Sequence, residues 1–137
     1  MKRPKQILCA LLLISICLCS CSFSDPLSAD ECRVTYSAKL IENDSVGDEW
    51  TTYLLYKEEA LPSKDVVPYA NFLTLYAYAR EYDEAKPDSN KTRVLFNGIK
   101  RGEKVTKKVT VVVTENGGRY KGNKARWEFT ITVERGK

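Results

Sequence analysis

Histidine is absent from all 137 residues, and this removes most of catalysis: Ser–His and Cys–His pairs have no base, and imidazole metal sites have no ligand. No Gly-rich run precedes a helical pattern to cradle a phosphate, and no Asp-x-Asp-x-Asp-Gly run is present, which excludes an EF-hand loop. Cysteine is scarce where a framework would need it. Of five cysteines, Cys9, Cys17, Cys19 and Cys21 fall in the first 21 residues and only Cys32 lies beyond them, so disulfides do not hold the chain together. The longest apolar and small-residue run, residues 7–20, holds 14 residues, short of the roughly 18 to 20 a membrane-spanning helix needs. Repeats and low-complexity tracts are missing as well. The expectation is a protein that is not an enzyme; a glycosidase-type pair of carboxylates would need a cleft for which one small domain has little room.

What is present begins at the N-terminus. Lys2, Arg3 and Lys5 stand before the apolar run, the layout of an export signal. The run ends in Leu18, Cys19, Ser20, Cys21, which resembles the lipobox of bacterial lipoproteins. That resemblance implies a signal peptide over residues 1–20 and a diacylated, palmitate-bearing Cys21 as the first mature residue. It also implies an extracytoplasmic protein anchored to a membrane by its lipid, the outer membrane where the source has one. An ordinary secretory signal cut nearby is the alternative, and it would leave Cys21 free to pair with Cys32. Residues 21–30, small, polar and interrupted by Pro26, read as a lipidated tether.

Residues 31–137 are enough for one domain with a single core. The formal charge of +4 includes three cations of the leader, leaving the mature chain near +1, which takes away support for a nucleic-acid partner. Within it, residues 21–90 hold 14 acidic and 6 basic side chains, and residues 91–137 hold 4 and 13. Opposite charges on paired strands are the expected structural use.

Hydrophobic period two recurs along the domain. Val34, Tyr36, Ala38 and Leu40 alternate with polar residues, as do Ala125, Trp127, Phe129, Ile131 and Val133; Val105, Lys107, Val109, Val111 and Val113 share one face, with Lys107 a cation at the strand's frayed start. Residues 49–57, 71–82 and 92–96 are rich in the aromatic and β-branched types that strands favour. Residues 73–80 also suit a helix by composition, but Leu73, Leu75, Ala77 and Ala79 alternate with Thr74, Tyr76 and Tyr78, which favours strand. Residues 58–70, broken by Pro62 and Pro68, read as a loop with a short edge strand at 65–67. The fold class expected is all-β: a single antiparallel β-sandwich of about six to seven strands.

Consecutive antiparallel strands alternate in direction, so loops 43–48, 83–91 and 115–123 are expected at the pole opposite the N-terminal tether, facing away from the membrane. Their sequences are ENDSVGDE (42–49), EYDEAKPDSN (81–90) and ENGGRYKGN (115–123). Carboxylates and amides converging from separate loops are what calcium requires, since it takes six to eight oxygens. The same residues also suit turns, with Asp83, Glu84 or Asp88 paired to Arg119, Lys121 or Lys124.

On these acidic loops the chain resembles a C2-type domain, a β-sandwich that binds calcium at one end. The resemblance covers residues 32–134 as architecture and two loops as motif. It implies calcium held by Asp44, Asp48, Asp83 and Asp88, with Glu42, Asn43, Glu49, Glu84, Asn90, Glu115 and Asn116 as further loop ligands. Asp83 is followed by Glu84 where that family places a spaced aspartate. The loop ENGGRYKGN followed by WEFT also resembles the ending of small bacterial lipoproteins.

Two functions follow. One is an envelope-anchored binding module whose membrane-distal loops recognise an extracytoplasmic protein or glycan, with calcium as the expected cofactor. The other is an accessory lipoprotein that docks an envelope assembly through its sheet edges, with no ligand at the loops.

Overall fold

The computed structural model describes residues 25–83 and 86–137; the expected leader, Cys21 and Glu84 lie outside the described residues. The chain forms β1 (Glu31–Asn43), β2 (Trp50–Tyr56), β3 (Glu59–Leu61), β4 (Lys64–Pro68), β5 (Phe72–Glu81), β6 (Asp88–Asn97), β7 (Lys104–Thr114) and β8 (Lys124–Arg135). Two four-stranded sheets result, in the orders β4-β1-β8-β7 and β3-β2-β5-β6, and every pairing is antiparallel. This is the expected β-sandwich.

Period two decides which side chains face inward. Along β5, Leu73, Leu75, Ala77 and Ala79 are buried, and along β8 Ala125, Phe129, Ile131 and Val133 are fully so. Each large apolar side chain taken out of water contributes about 1.5 to 3 kcal/mol. Cys32 joins this core as a free, buried thiol. Burial pushes it up to about 11, with the Arg135 charge working the other way, so at neutral pH it stays a thiol and packs as a small apolar group.

Within 58–70 the short edge strand expected at 65–67 is present as β4, and a second strand, β3, stands where only loop was expected. A two-residue turn joins β2 to β3, with Lys57 and Glu58 at φ 49° and 66°, the left-handed values that suit a hairpin's twist. After Pro62 the chain turns a corner and continues as β4 on the edge of the other sheet, paired with the start of β1. Pro68 ends β4, where a missing N–H is tolerated.

The opposite side of the sandwich, between β6 and β7, is closed by side chains. Asn90 Nδ2 donates to Val112 O at 2.8 Å, Thr92 Oγ1 to Thr110 O at 2.8 Å and Lys107 Nζ to Leu95 O at 2.6 Å. Lys107, which shares its strand parity with the valines of β7, therefore crosses the seam, its ammonium 5.2 Å from the Phe96 ring centre. An inward cation on a strand edge blocks pairing with another chain.

Registers place the start of β1, the end of β8 and the β6–β7 turn at one pole. Tyr69 anchors that pole: buried, it accepts from Ile99 N at 3.0 Å and carries the Arg135 guanidinium 4.9 Å over its ring. Loops β1–β2, β5–β6 and β7–β8 gather at the other.

Candidate functional site

The loop pole rests on two inward strand positions. Parity along β5 continues from Ala79 to Glu81, and along β6 from Phe96 and Val94 back to Asp88, which pairs directly with Glu81. Both point into the end of the sandwich, Glu81 at 6 % exposure and Asp88 at 1 %. Asp88 and Asn90 are therefore strand residues, although the turn-like sequence DSN suggests a loop.

The β1–β2 loop closes over Glu81. Asn43 Oδ1 accepts from Val46 N at 3.0 Å and Asn43 Nδ2 donates to Gly47 O at 2.6 Å, while Trp50 Nε1 donates to the same carbonyl at 3.0 Å. Val46 is thereby tucked into the core. Gly47, at φ 142°, sits so close to the Glu81 carboxylate that a Cβ there would strike it, so only glycine lets the loop reach this position. Tyr82 N donates to Glu49 O at 2.8 Å and pins the other end.

The β7–β8 loop supplies the third wall. Asn116 donates to Asp88 Oδ1 from its backbone N at 3.1 Å and from Nδ2 at 2.8 Å. Asp88 Oδ2 is buried with no hydrogen-bond partner. Glu115 Oε1 accepts from Gly117 N at 3.3 Å, and its carboxyl lies within the reach of the Asp88 charge.

Electrostatics follow from this crowding. Glu81 is held above its ordinary value of 4.5, first by burial and then by the charges of Asp83, Glu115, Asp88 and Glu49. Glu115 is raised by burial and by Asp88 and Asp83, against the opposing bond from Gly117. Four carboxylates thus act on Glu81, and like charges disfavour its ionisation. Beside them opens a cavity of about 310 Å³ lined by Asp83, Lys86, Glu115, Gly117, Gly118, Arg119 and Tyr120. Tyr82 and Tyr120, 58 % and 48 % exposed, stand at this pole.

The residues expected as ligands divide. Glu49, Asp83, Asp88, Glu115 and Asn116 come together. Asn43 and Asn90 are committed to backbone partners, and Glu42 lies 3.6 Å from Arg126 Nε. Asp44 and Asp48 are exposed on the β1–β2 loop, outside the group acting on Glu81, and Glu84 lies outside the described residues. Among the described residues no three acidic or cysteine side chains close round a point that could hold a metal ion. The C2-like set is thus not drawn together as four aspartates. The buried Asp88 Oδ2 has no hydrogen-bond partner among the described residues. Glu81 was missed as a site residue; the unbroken inward parity of β5 is the signal that points to it.

The fold and this pole define an all-β sandwich with two buried acidic side chains, Glu81 and Asp88, at one end. Comparison with protein-family models, curated proteins and solved structures yields no match.

Proposed function

We propose that the chain is a non-enzymatic binding module of the bacterial envelope, exported by its leader and held to a membrane through a lipidated Cys21. Its loop pole recognises an extracytoplasmic protein or glycan. The observation that carries this is Asp88: a carboxylate 1 % exposed, with one oxygen unpartnered, among four other acidic groups. Burying such a group costs about 1 to 3 kcal/mol, and a ligand that supplies a cation or donor recovers it. Calcium is the cation proposed, bound at Asp88 and Glu115 with further oxygens from water or the partner. Because the carboxylates do not close round one point, the affinity expected is that of extracellular modules, about 0.1 to 1 mM.

Docking through sheet edges is less well supported, since β6 and β7 engage each other through side chains and β3 runs directly into β4. A photo-crosslinking residue placed in live cells at Tyr120, on the pole, should give a discrete adduct. The same residue at Thr130, on the outer face of the first sheet, or at Val66, on the edge strand β4, should give none. Adducts from Val66 alone would replace pole recognition with edge docking.

A further inference from the structure

The two outer faces of the sandwich are built differently. On the β4-β1-β8-β7 sheet, cations and carboxylates neutralise each other across strands: Arg33 and Lys104 lie 3.3 and 3.9 Å from Glu134, and Lys108 lies 3.0 Å from Glu128. Between them run threonines, with Thr106 and Thr132 hydrogen-bonded at 2.8 Å.

The outer face of the β3-β2-β5-β6 sheet has no such balance. Register pairs Tyr53 with Tyr78 and Leu55 with Tyr76, then Tyr78 with Lys91 and Tyr76 with Arg93. Arg80 faces Thr51 and Ser89, and Leu95 faces Thr74. Strands β2, β5 and β6 present no carboxylate outward; Glu58, at the β2–β3 turn, reaches the face from outside at 3.5 Å from Lys91 Nζ. Tyr53 and Tyr78 stack at 4.7 Å, and Lys91 Nζ stands 4.9 Å from the Tyr76 ring centre. Phe72, 63 % exposed, ends the stripe where β5 runs on past the end of β2. There a depression of about 270 Å³ opens between Tyr56, Lys57, Phe72, Leu73, Thr74 and Tyr76.

We propose that this face binds a polysaccharide bearing carboxylate groups. Tyr76 and Tyr78 are two residues apart on one strand, about 7 Å, and register sets Arg93 and Lys91 opposite them on the next, the Lys91 ammonium leaning over the Tyr76 ring. A polymer whose units each offer an apolar ring face and a carboxylate matches a surface that repeats ring and cation. Aromatic rings cover the apolar side of a sugar, and guanidinium pairs with carboxylate through two hydrogen bonds. The face is a second site, separate from the loop pole. The choice of an envelope polysaccharide over single-stranded nucleic acid, which also stacks on basic aromatic platforms, rests on the export proposed above.

The test titrates the mature chain with a polygalacturonate oligomer at low salt, read through tyrosine and tryptophan fluorescence. Saturable, salt-weakened binding is expected. Lys91→Glu with Arg93→Glu should weaken it by about tenfold or more, whereas Tyr78→Phe, which keeps the ring, should leave it within about twofold. If the double reversal does not fold, Arg93→Gln carries the same test with a loss of about threefold or more. Asp88→Asn, at the loop pole, should leave polygalacturonate binding unchanged, so that failure of either site is read separately. Three results would overturn the proposal: neutral dextran binding as well as the polyuronate, charge variants with intact melting curves and unchanged affinity, or a thymidine oligonucleotide binding more tightly.

Discussion

At the scale of single residues, the loop pole is governed by where two carboxylates point. Glu81 and Glu115 both sit above the ordinary carboxylate value of 4.5, because burial and neighbouring negative charge favour the protonated form. The folded chain therefore keeps protons that the unfolded chain has already released. Their contribution to stability is full below an ordinary carboxyl value and is lost as pH rises through the higher folded value. Glu81→Gln with Glu115→Gln should abolish that loss. The variant is expected to melt above the wild type near pH 7, and the gap should close toward pH 4. Melting curves across this range check it, and a gap of the same size at every pH would mean that the carboxyls do not sense each other. The sequence showed the acidic composition of this pole but not its depth. Asp88 and Asn90 read as turn residues because Asp, Ser and Asn favour turns. They are strand residues because Asn90 is bonded to Val112 across the seam and Asp88 to Asn116, contacts between segments more than 20 residues apart that local preference does not reveal.

At the scale of elements, the long strands were legible because their inward residues form unbroken runs of period two: Leu73 to Ala79, Val109 to Val113, Phe129 to Val133. Strand β3 was not. Its turn uses Lys57 and Glu58 at positive φ with none of the Asn or Gly that normally announces such a hairpin, and three residues are too few to show a period. The seam between β6 and β7 was also hidden, since Lys107 reads as a cation at a frayed strand start until its bond to Leu95 O places it. Lys107→Val would complete the apolar face of β7 but free that carbonyl and leave the edge unguarded. We expect stability to change by no more than about 1 kcal/mol while self-association rises above that of the wild type, measured by light scattering. A variant no more prone to associate would show that Asn90 and Thr92 close the seam unaided.

At the scale of the whole molecule, strand direction separates two ends with different tasks. Strand β1 has 13 residues, which at about 3.3 Å each sets the loop pole about 40 Å beyond the point where the tether enters the fold. In an anchored protein that distance carries the loop pole away from the membrane and toward partners. The proposed calcium site includes Glu115, whose carboxyl is held above its ordinary value by burial and neighbouring charge, so calcium and protons compete there. With a dissociation constant of about 1 mM, 10 mM calcium would stabilise the fold by about 1.4 kcal/mol, a rise of about 5 to 10 °C in melting temperature for a domain near 100 residues. The decisive measurement is therefore the melting curve of the mature chain near pH 7 in 10 mM calcium and in chelator, for the wild type and for Asp88→Asn with Glu115→Gln. A calcium-dependent rise in the wild type that is absent from the variant is the expected result. Curves that coincide with and without calcium, or that shift equally in both proteins, would contradict cation binding at the loop pole.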